Sequence, residues 1–164
     1  MCAWTLAICR GSKIGVYQSD ISGAFDKVYA SFLLAKLRQL GVGEQIVAFF
    51  AEYLKPRSAH VVVNGVSSES FLIDNIVFQG TVLGPLLWNV FFADVTTAAT
   101  ASGEHEVSFA DDMNIFKFFD RNEDPSRIES ALHRTRVRVH KWGKRNRVEF
   151  DPGKESVVCI HPTL

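Results

Sequence analysis

The stretch Val107-Ser108-Phe109-Ala110-Asp111-Asp112-Met113-Asn114-Ile115-Phe116-Lys117-Phe118-Phe119 decides the fold. Strand-forming runs flank two adjacent carboxylates, Val107-Ser108-Phe109 before them and Ile115 to Phe119 after. The pattern predicts a β-hairpin with Asp111 and Asp112 at its tip. Left unpaired, two neighbouring carboxylates repel, and each raises the pKa of the other. A divalent cation removes that cost and turns repulsion into coordination. Taken alone, such a pair is as often a cap or turn as a ligand set.

A third carboxylate lies upstream. Asp20 closes a predicted strand, Lys13 to Ile21, in the run Val16-Tyr17-Gln18-Ser19-Asp20-Ile21. If that strand lies beside the hairpin, Asp20, Asp111 and Asp112 converge from distant parts of the chain. They would then hold two Mg²⁺ ions about 4 Å apart, the geometry of in-line phosphoryl transfer.

The rest of the chain supplies the other layer. Ser31 to Leu40, stopped by Gly41, and Glu44 to Leu54, closed by Pro56, read as helices. His60 to Val63, Asn64-Gly65 and Val66 onward read as a hairpin. A helix is expected from Pro85 to about Ala98, apolar nearly all round and so buried. Asp124-Pro125 reads as an N-cap and first helical position. The helix after it places Ile128, Leu132, Thr135, Val139 and Trp142 on one face and Arg134, Arg138, Lys141 and Arg145 on a neighbouring stripe. That stripe suits a nucleic-acid backbone as well as it suits solvent. A last strand, Val157 to Ile160, follows a turn at Asp151-Pro152-Gly153. The order of elements predicts an α+β fold, an antiparallel sheet with helices packed on one face.

The 164 residues are 47% apolar and 12% aromatic, enough for a core, and carry no net charge. The charge is unevenly spread. Residues 1–120 hold 8 Lys/Arg against 12 Asp/Glu, and residues 121–164 hold 10 against 6. An acidic part beside a basic part suits a metal site next to a polyanion track. Cys2, Cys9 and Cys159 have no ligand spacing and read as reduced thiols of an intracellular protein, nuclear or cytoplasmic. His133 and His140 lie one heptad apart, a spacing of packing rather than ligation. The apolar start, Met1 to Cys9, lacks the basic flank of a signal peptide, and no run is long enough to span a membrane.

Four motifs together resemble reverse transcriptases of the non-long-terminal-repeat retrotransposon and group II intron type. Asp20-Ile21-Ser22-Gly23-Ala24-Phe25-Asp26-Lys27-Val28 resembles their first metal-binding motif. Gln79-Gly80-Thr81-Val82-Leu83-Gly84-Pro85-Leu86-Leu87 resembles the second palm motif, Phe109-Ala110-Asp111-Asp112 the third, and Trp142 through Lys154 the fourth. Their order and spacing are those of the family. The resemblance implies a polymerase palm with a ferredoxin-like antiparallel sheet over residues 1–164, and RNA-directed DNA polymerase activity on an RNA template, a DNA primer and deoxynucleoside triphosphates.

The resemblance also implies roles. Asp20 and Asp111 would be the principal ligands of two Mg²⁺ ions, or of Mn²⁺ in their place, with Asp112 and the Ile21 carbonyl assisting. Phe25 stands where the family has its aromatic steric gate against a 2′-hydroxyl, and Ala24 and Phe25 would offer backbone to the incoming nucleotide. Gln79 and Gly80 would contact the nucleotide and the templating base, with Gly80 permitting close backbone approach. Lys154 would protonate the leaving pyrophosphate. Asp26 and Asp94 read as structural.

Two departures qualify this. Phe78 stands where the family usually has Pro, which is expected to loosen the turn before Gln79. The fingers, primer grip and thumb expected of a whole enzyme find no counterpart in these residues. The alternative reading is therefore a truncated, inactive retroelement remnant with at most weak nucleic-acid binding. A palm-like cyclase is a weaker alternative, opposed by the Ala24-Phe25 and Gln79-Gly80 motifs.

Overall fold

A computed structural model describes residues 3–162; Cys2 lies outside the described residues. Helix α1 (Ala3–Cys9) leads into β1 (Lys13–Ser19). A single 3-10 turn (Ala24–Lys27), α2 (Ala30–Gln39) and α3 (Glu44–Tyr53) follow. Four short strands come next: β2 (Arg57–Ala59), β3 (Val62–Val63), β4 (Val66–Ser67) and β5 (Phe71–Ile73). The chain then forms α4 (Gly84–Phe92), α5 (Val95–Ala99), β6 (His105–Phe109), β7 (Asp112–Phe119), α6 (Pro125–Asn146) and β8 (Ser156–Ile160). It divides into two compact units, Met1–Ser22 with Ala93–Leu164, and Gly23–Phe92.

The first unit is built on a four-stranded sheet ordered β6-β7-β1-β8, every neighbouring pair antiparallel. With α6 joining β7 to β8, this is the ferredoxin-like order that the motifs imply. Side chains alternate across it. Gly15 and Tyr17 face α6, where Ile128 and Leu132 are buried. A Cβ on Gly15 would lie 2.9 Å from Phe119, 3.0 Å from Ile128 and 3.1 Å from Leu132, so only glycine lets α6 come this close. Asp124 caps α6 as expected, its carboxylate accepting the Ser126 amide at 2.8 Å ahead of Pro125.

The other face corrects an expectation. Helices do not cover one face only: α1 packs on the side opposite α6. Trp4, Ala7 and Ile8 close over Ile14, Val16 and Phe116, with the Trp4 ring edge-on to Phe116 at 5.3 Å. Ile14 and Val16 alternate with Gly15 and Tyr17, and strand period two allows no other placement. The apolar opening segment thus covers the core with half-buried side chains while Leu6 stays exposed, which its composition alone left open.

The helix expected from Pro85 to Ala98 is interrupted. The α4 helix ends at Phe92 and α5 begins at Val95. Across the break, Thr96 and Thr97 bond carbonyls three residues back, at 3.4 and 3.3 Å. The β-branched run Val95-Thr96-Thr97 has low helix propensity and starts the short α5. Asp94 gives its carboxylate to the Trp142 indole N–H at 2.8 Å rather than to a cap.

In the second unit, Trp88 is fully buried, with Phe92 stacked at 5.3 Å, Phe25 at 5.7 Å and Phe91 at 5.9 Å. Leu33 and Leu37 of α2 and Val47 and Phe50 of α3 complete its core. The ladders β2–β5 and β3–β4 form a ribbon that turns at Asn64-Gly65. Both turn residues have positive φ, as a type I′ hairpin requires. Val62, Val63, Val66 and Leu72 of this ribbon are exposed.

Candidate active site

β1 and β7 run side by side with Ser19 opposite Met113, so Asp20 leaves β1 at the level of the Asp111-Asp112 tip. The tip is a two-residue loop: Phe109 pairs with Asp112, and Ala110 and Asp111 lie between them. Ala110 has φ +56°, a conformation that costs an L residue about 1 kcal/mol or more. The strain sits at the residue that turns the chain onto Asp111.

Asp20 is fixed through its backbone. Its carbonyl accepts the Asp151 amide at 3.0 Å, and Ser22 donates to the Glu149 carbonyl at 3.0 Å. These two bonds bridge Ile21 to Phe150 without using the polar atoms of Ile21. In antiparallel geometry the Ile21 carbonyl then points the other way, towards the β7 side. The Asp20 side chain is almost buried and accepts the Lys154 ammonium at 2.6 Å. The bond to Asp20 and the charge of Asp20 raise the Lys154 pKa, with smaller contributions from Asp151 and Asp111. One lysine therefore feels the carboxylates of both strands.

Lys154 sits between a turn, where its amide bonds the Asp151 carbonyl at 3.0 Å, and the anchored residue Glu155. That carboxylate is buried among Tyr17, whose hydroxyl donates at 2.7 Å, Arg136 at 2.6 Å, and His140. Burial pushes the Glu155 carboxyl up, but Tyr17, His140 and Arg136 outweigh it and hold the carboxyl below its usual range. Burial, aided by Glu155, raises the Tyr17 phenol well above its ordinary value.

Beyond α1, the same sheet face becomes polar. Gln18 donates to Asn114 at 2.9 Å and accepts from Ser156 at 3.0 Å, a ladder across three strands on the face that carries Asp112. Phe109, on that face, is 83% exposed.

The expected convergence of three carboxylates is not formed. Among the described residues no three His, Cys, Asp or Glu side chains stand together as a metal cluster. Asp20 is paired with Lys154 instead, which relieves the repulsion that three clustered carboxylates would build up. The donors still suit a hard cation: carboxylates on two adjacent strand ends and a carbonyl turned between them, all oxygen.

In the second unit, Phe25 is half-buried. Its ring lies against Trp88, and its carbonyl accepts the Val77 amide at 2.8 Å. Gln79 and Gly80 are exposed; Gly80 has φ +79° with open space around it, so the backbone conformation itself demands glycine. Phe78 does not loosen this turn. Its ring meets Tyr53 edge-on at 6.1 Å and lies 4.6 Å from the Arg57 guanidinium. Its carbonyl accepts the Thr81 hydroxyl at 2.7 Å, while Thr81 Oγ1 accepts from Tyr53 at 3.1 Å and from the Gly84 amide at 3.1 Å.

The basic stripe is divided. Arg138 is half-buried and committed within the unit: it bonds buried Glu104 at 2.8 Å and the Ala98 carbonyl at 3.0 Å. Arg134, Lys141 and Arg145 are exposed. Sequence reasoning missed Gln18, Asn114, Glu155, Tyr53 and Thr81. Gln18 and Asn114 carried a local signal, each two residues from a motif carboxylate and so on its face, and Thr81 lay within the second motif itself.

The family model for reverse transcriptase (RNA-dependent DNA polymerase) matches residues 7–162. The chain belongs to the reverse transcriptase family. It is 38% identical over 101 residues to the RNA-directed DNA polymerase from mobile element jockey of Drosophila melanogaster, covering 58% of this chain and 11% of that protein. It is 28% identical over 88 residues to the retrovirus-related Pol polyprotein from type-1 retrotransposable element R2 of Popillia japonica, covering 54% and 14%. The reverse transcriptase domain is thus of the non-long-terminal-repeat type, and the chain spans a small part of its curated relatives. Apo telomerase from Candida tropicalis superposes on 90% of the chain and 31% of its own, with TM-score 0.66 at 9% identity. Telomerase from Candida albicans, solved with a fragment of telomeric RNA, covers 88% and 27%, with TM-score 0.52 at 12% identity. These likenesses identify the fold as a polymerase palm.

Proposed function

We propose that this chain is the palm of an RNA-directed DNA polymerase, extending a DNA primer on an RNA template with deoxynucleoside triphosphates. One observation carries the reading: Asp20 and the Asp111-Asp112 tip end adjacent antiparallel strands. Asp20, Asp111, Asp112 and the Ile21 carbonyl would hold two Mg²⁺ ions. Bound there, the ions supply a lowered pKa at the primer 3′-hydroxyl and charge neutralisation at the leaving pyrophosphate. Lys154 keeps a proton on its ammonium beside Asp20 and gives it to the pyrophosphate. Phe25 excludes a 2′-hydroxyl with a ring that Trp88 keeps from turning away, and Ala24 lends backbone to the nucleotide. Gln79 and Gly80 contact the nucleotide and the templating base from a turn stiffened by Thr81.

Primer extension on an RNA template with Mg²⁺ tests the assignment. Asp111→Asn is expected to lose essentially all extension, and a variant that keeps its activity sinks the reading. A second reading, a folded palm without turnover, is favoured by the Asp20–Lys154 pair standing in place of a carboxylate cluster. Extension by the 164-residue chain itself refutes that second reading.

A further inference from the structure

The charge of α6 is far larger than its packing uses. From Ser130 to Val148 the chain has no acidic residue, but carries Arg134, Arg136, Arg138, Lys141, Lys144, Arg145 and Arg147. Two of these are spent inside the first unit, Arg136 on Glu155 and Arg138 on Glu104. Arg134, Lys141, Lys144 and Arg145 are exposed at helical spacings of seven, three and one, on the side of α6 turned away from the sheet. At 1.5 Å per residue the four cover about 16 Å. Val137, His133 and Ser130 are the exposed neighbours between and beside them.

This surface is not on the side of the candidate metal site. The α6 helix packs on the Gly15 and Tyr17 face, whereas Asp112, Asn114 and Gln18 lie on the other. A duplex laid on the Asp112 face cannot touch the outer side of α6 with the same base pairs. We propose that the outer face of α6 is a second nucleic-acid site, which grips the phosphate backbone of a duplex segment distinct from the one at the carboxylates. The proposal rests on the nucleic-acid reading of the chain, but not on turnover.

The chemistry of the face selects this occupant. A membrane-surface helix needs Trp, Phe or Leu beside its cations, and the exposed apolar residue among these is Val137. A single-strand track needs a series of aromatic rings for base stacking, and the large aromatic of this part of the helix, Trp142, is buried on Asp94, leaving the His133 imidazole as the exposed ring beside the cations. Four cations on a rigid rod, with one imidazole and one valine among them, match a regular array of phosphates read by shape and charge.

The test measures binding by the 164-residue chain to blunt-ended hairpins of RNA and of DNA, by fluorescence anisotropy in EDTA without nucleotide, across a salt series. A negative primer-extension result therefore leaves this test intact, and the reverse also holds. The variant Arg134→Gln, Lys141→Gln, Lys144→Gln, Arg145→Gln keeps helix propensity and touches no buried group. The expected result is at least a tenfold loss of affinity at low salt, with a salt slope shallower by about 3 to 4. The Lys141→Gln, Lys144→Gln pair should remove about half of that difference. A preference for the RNA hairpin identifies the duplex as A-form; equal binding identifies any duplex phosphate backbone, and both support the site. Unchanged affinity and slope in the fourfold variant overturn it, as does a loss confined to phosphatidylserine vesicles.

Discussion

The two units of this chain are stabilised in different ways. In the first, a continuous antiparallel sheet is covered by α6 on one face and partly by α1 on the other, and its polar groups are tied into buried hubs around Glu155 and Glu104. In the second, one aromatic cluster around Trp88 does most of the packing, and its ribbon leaves Val62, Val63, Val66 and Leu72 in solvent. The carboxylates lie on the first unit, whose backbone is bonded on both sides of β1. The motif residues read as nucleotide contacts lie on the second. A metal site needs its donors within a fraction of an ångström. A site that admits and releases nucleotides works better on elements with fewer buried bonds, which open at lower free energy.

The contrast is most easily broken in the second unit. Trp88→Ala is expected to cost about 3–5 kcal/mol, whereas Val62→Thr in the ribbon should stay within about 0.5 kcal/mol. Denaturant unfolding measures both. A ribbon substitution as costly as the core one would mean that the ribbon carries stability after all.

In the first unit the hub is the sharper probe. Glu155→Gln leaves Arg136 and His140 without their anionic partner and should cost about 1.5–3 kcal/mol. The folded-state carboxyl titrates below its unfolded value. Its stabilisation is therefore complete above about pH 4.3 and is lost as the pH falls through the lower folded-state value. Thermal melts from pH 7 to 3 should show the wild type losing more than Glu155→Gln; parallel curves would remove Glu155 as the source of acid lability.

The smallest expected effect is at the tip. Ala110→Gly relieves the positive φ and should stabilise by about 0.5–1 kcal/mol, because the strain relieved exceeds the extra freedom gained in the unfolded chain. A destabilised variant in chemical denaturation would mean that the methyl group of Ala110 is needed there.

Local pattern carried much of this fold. Alternation gave β1 and the β6–β7 hairpin, Asp124-Pro125 gave the start of α6, and the Asn64-Gly65 pair gave its turn. What stayed hidden was pairing across long separations. Nothing near Arg138 announces Glu104, and nothing near Lys154 announces Asp20. Helix α1 was equally hidden, because seven mostly apolar residues show no period that says which face they cover. The partner of Asp94 at the interruption after Phe92 is Trp142, far along the chain and unannounced by anything near it. The site was legible as a set of residues in family order; its present arrangement, with Lys154 on Asp20, was not.

The position of β1 has a cost in time. It precedes both of its partners by a long stretch of chain: β7 follows about 100 residues later and β8 about 140. At about 5–20 residues per second, its run Ile14-Gly15-Val16-Tyr17 leaves the ribosome roughly seven to thirty seconds before β8 does. Until β7 follows, both edges of the strand lack their partners, and α1, which directly precedes it, can already cover Ile14 and Val16. The strand that delivers Asp20 thus has a neighbour in sequence that shelters one of its faces before its sheet exists.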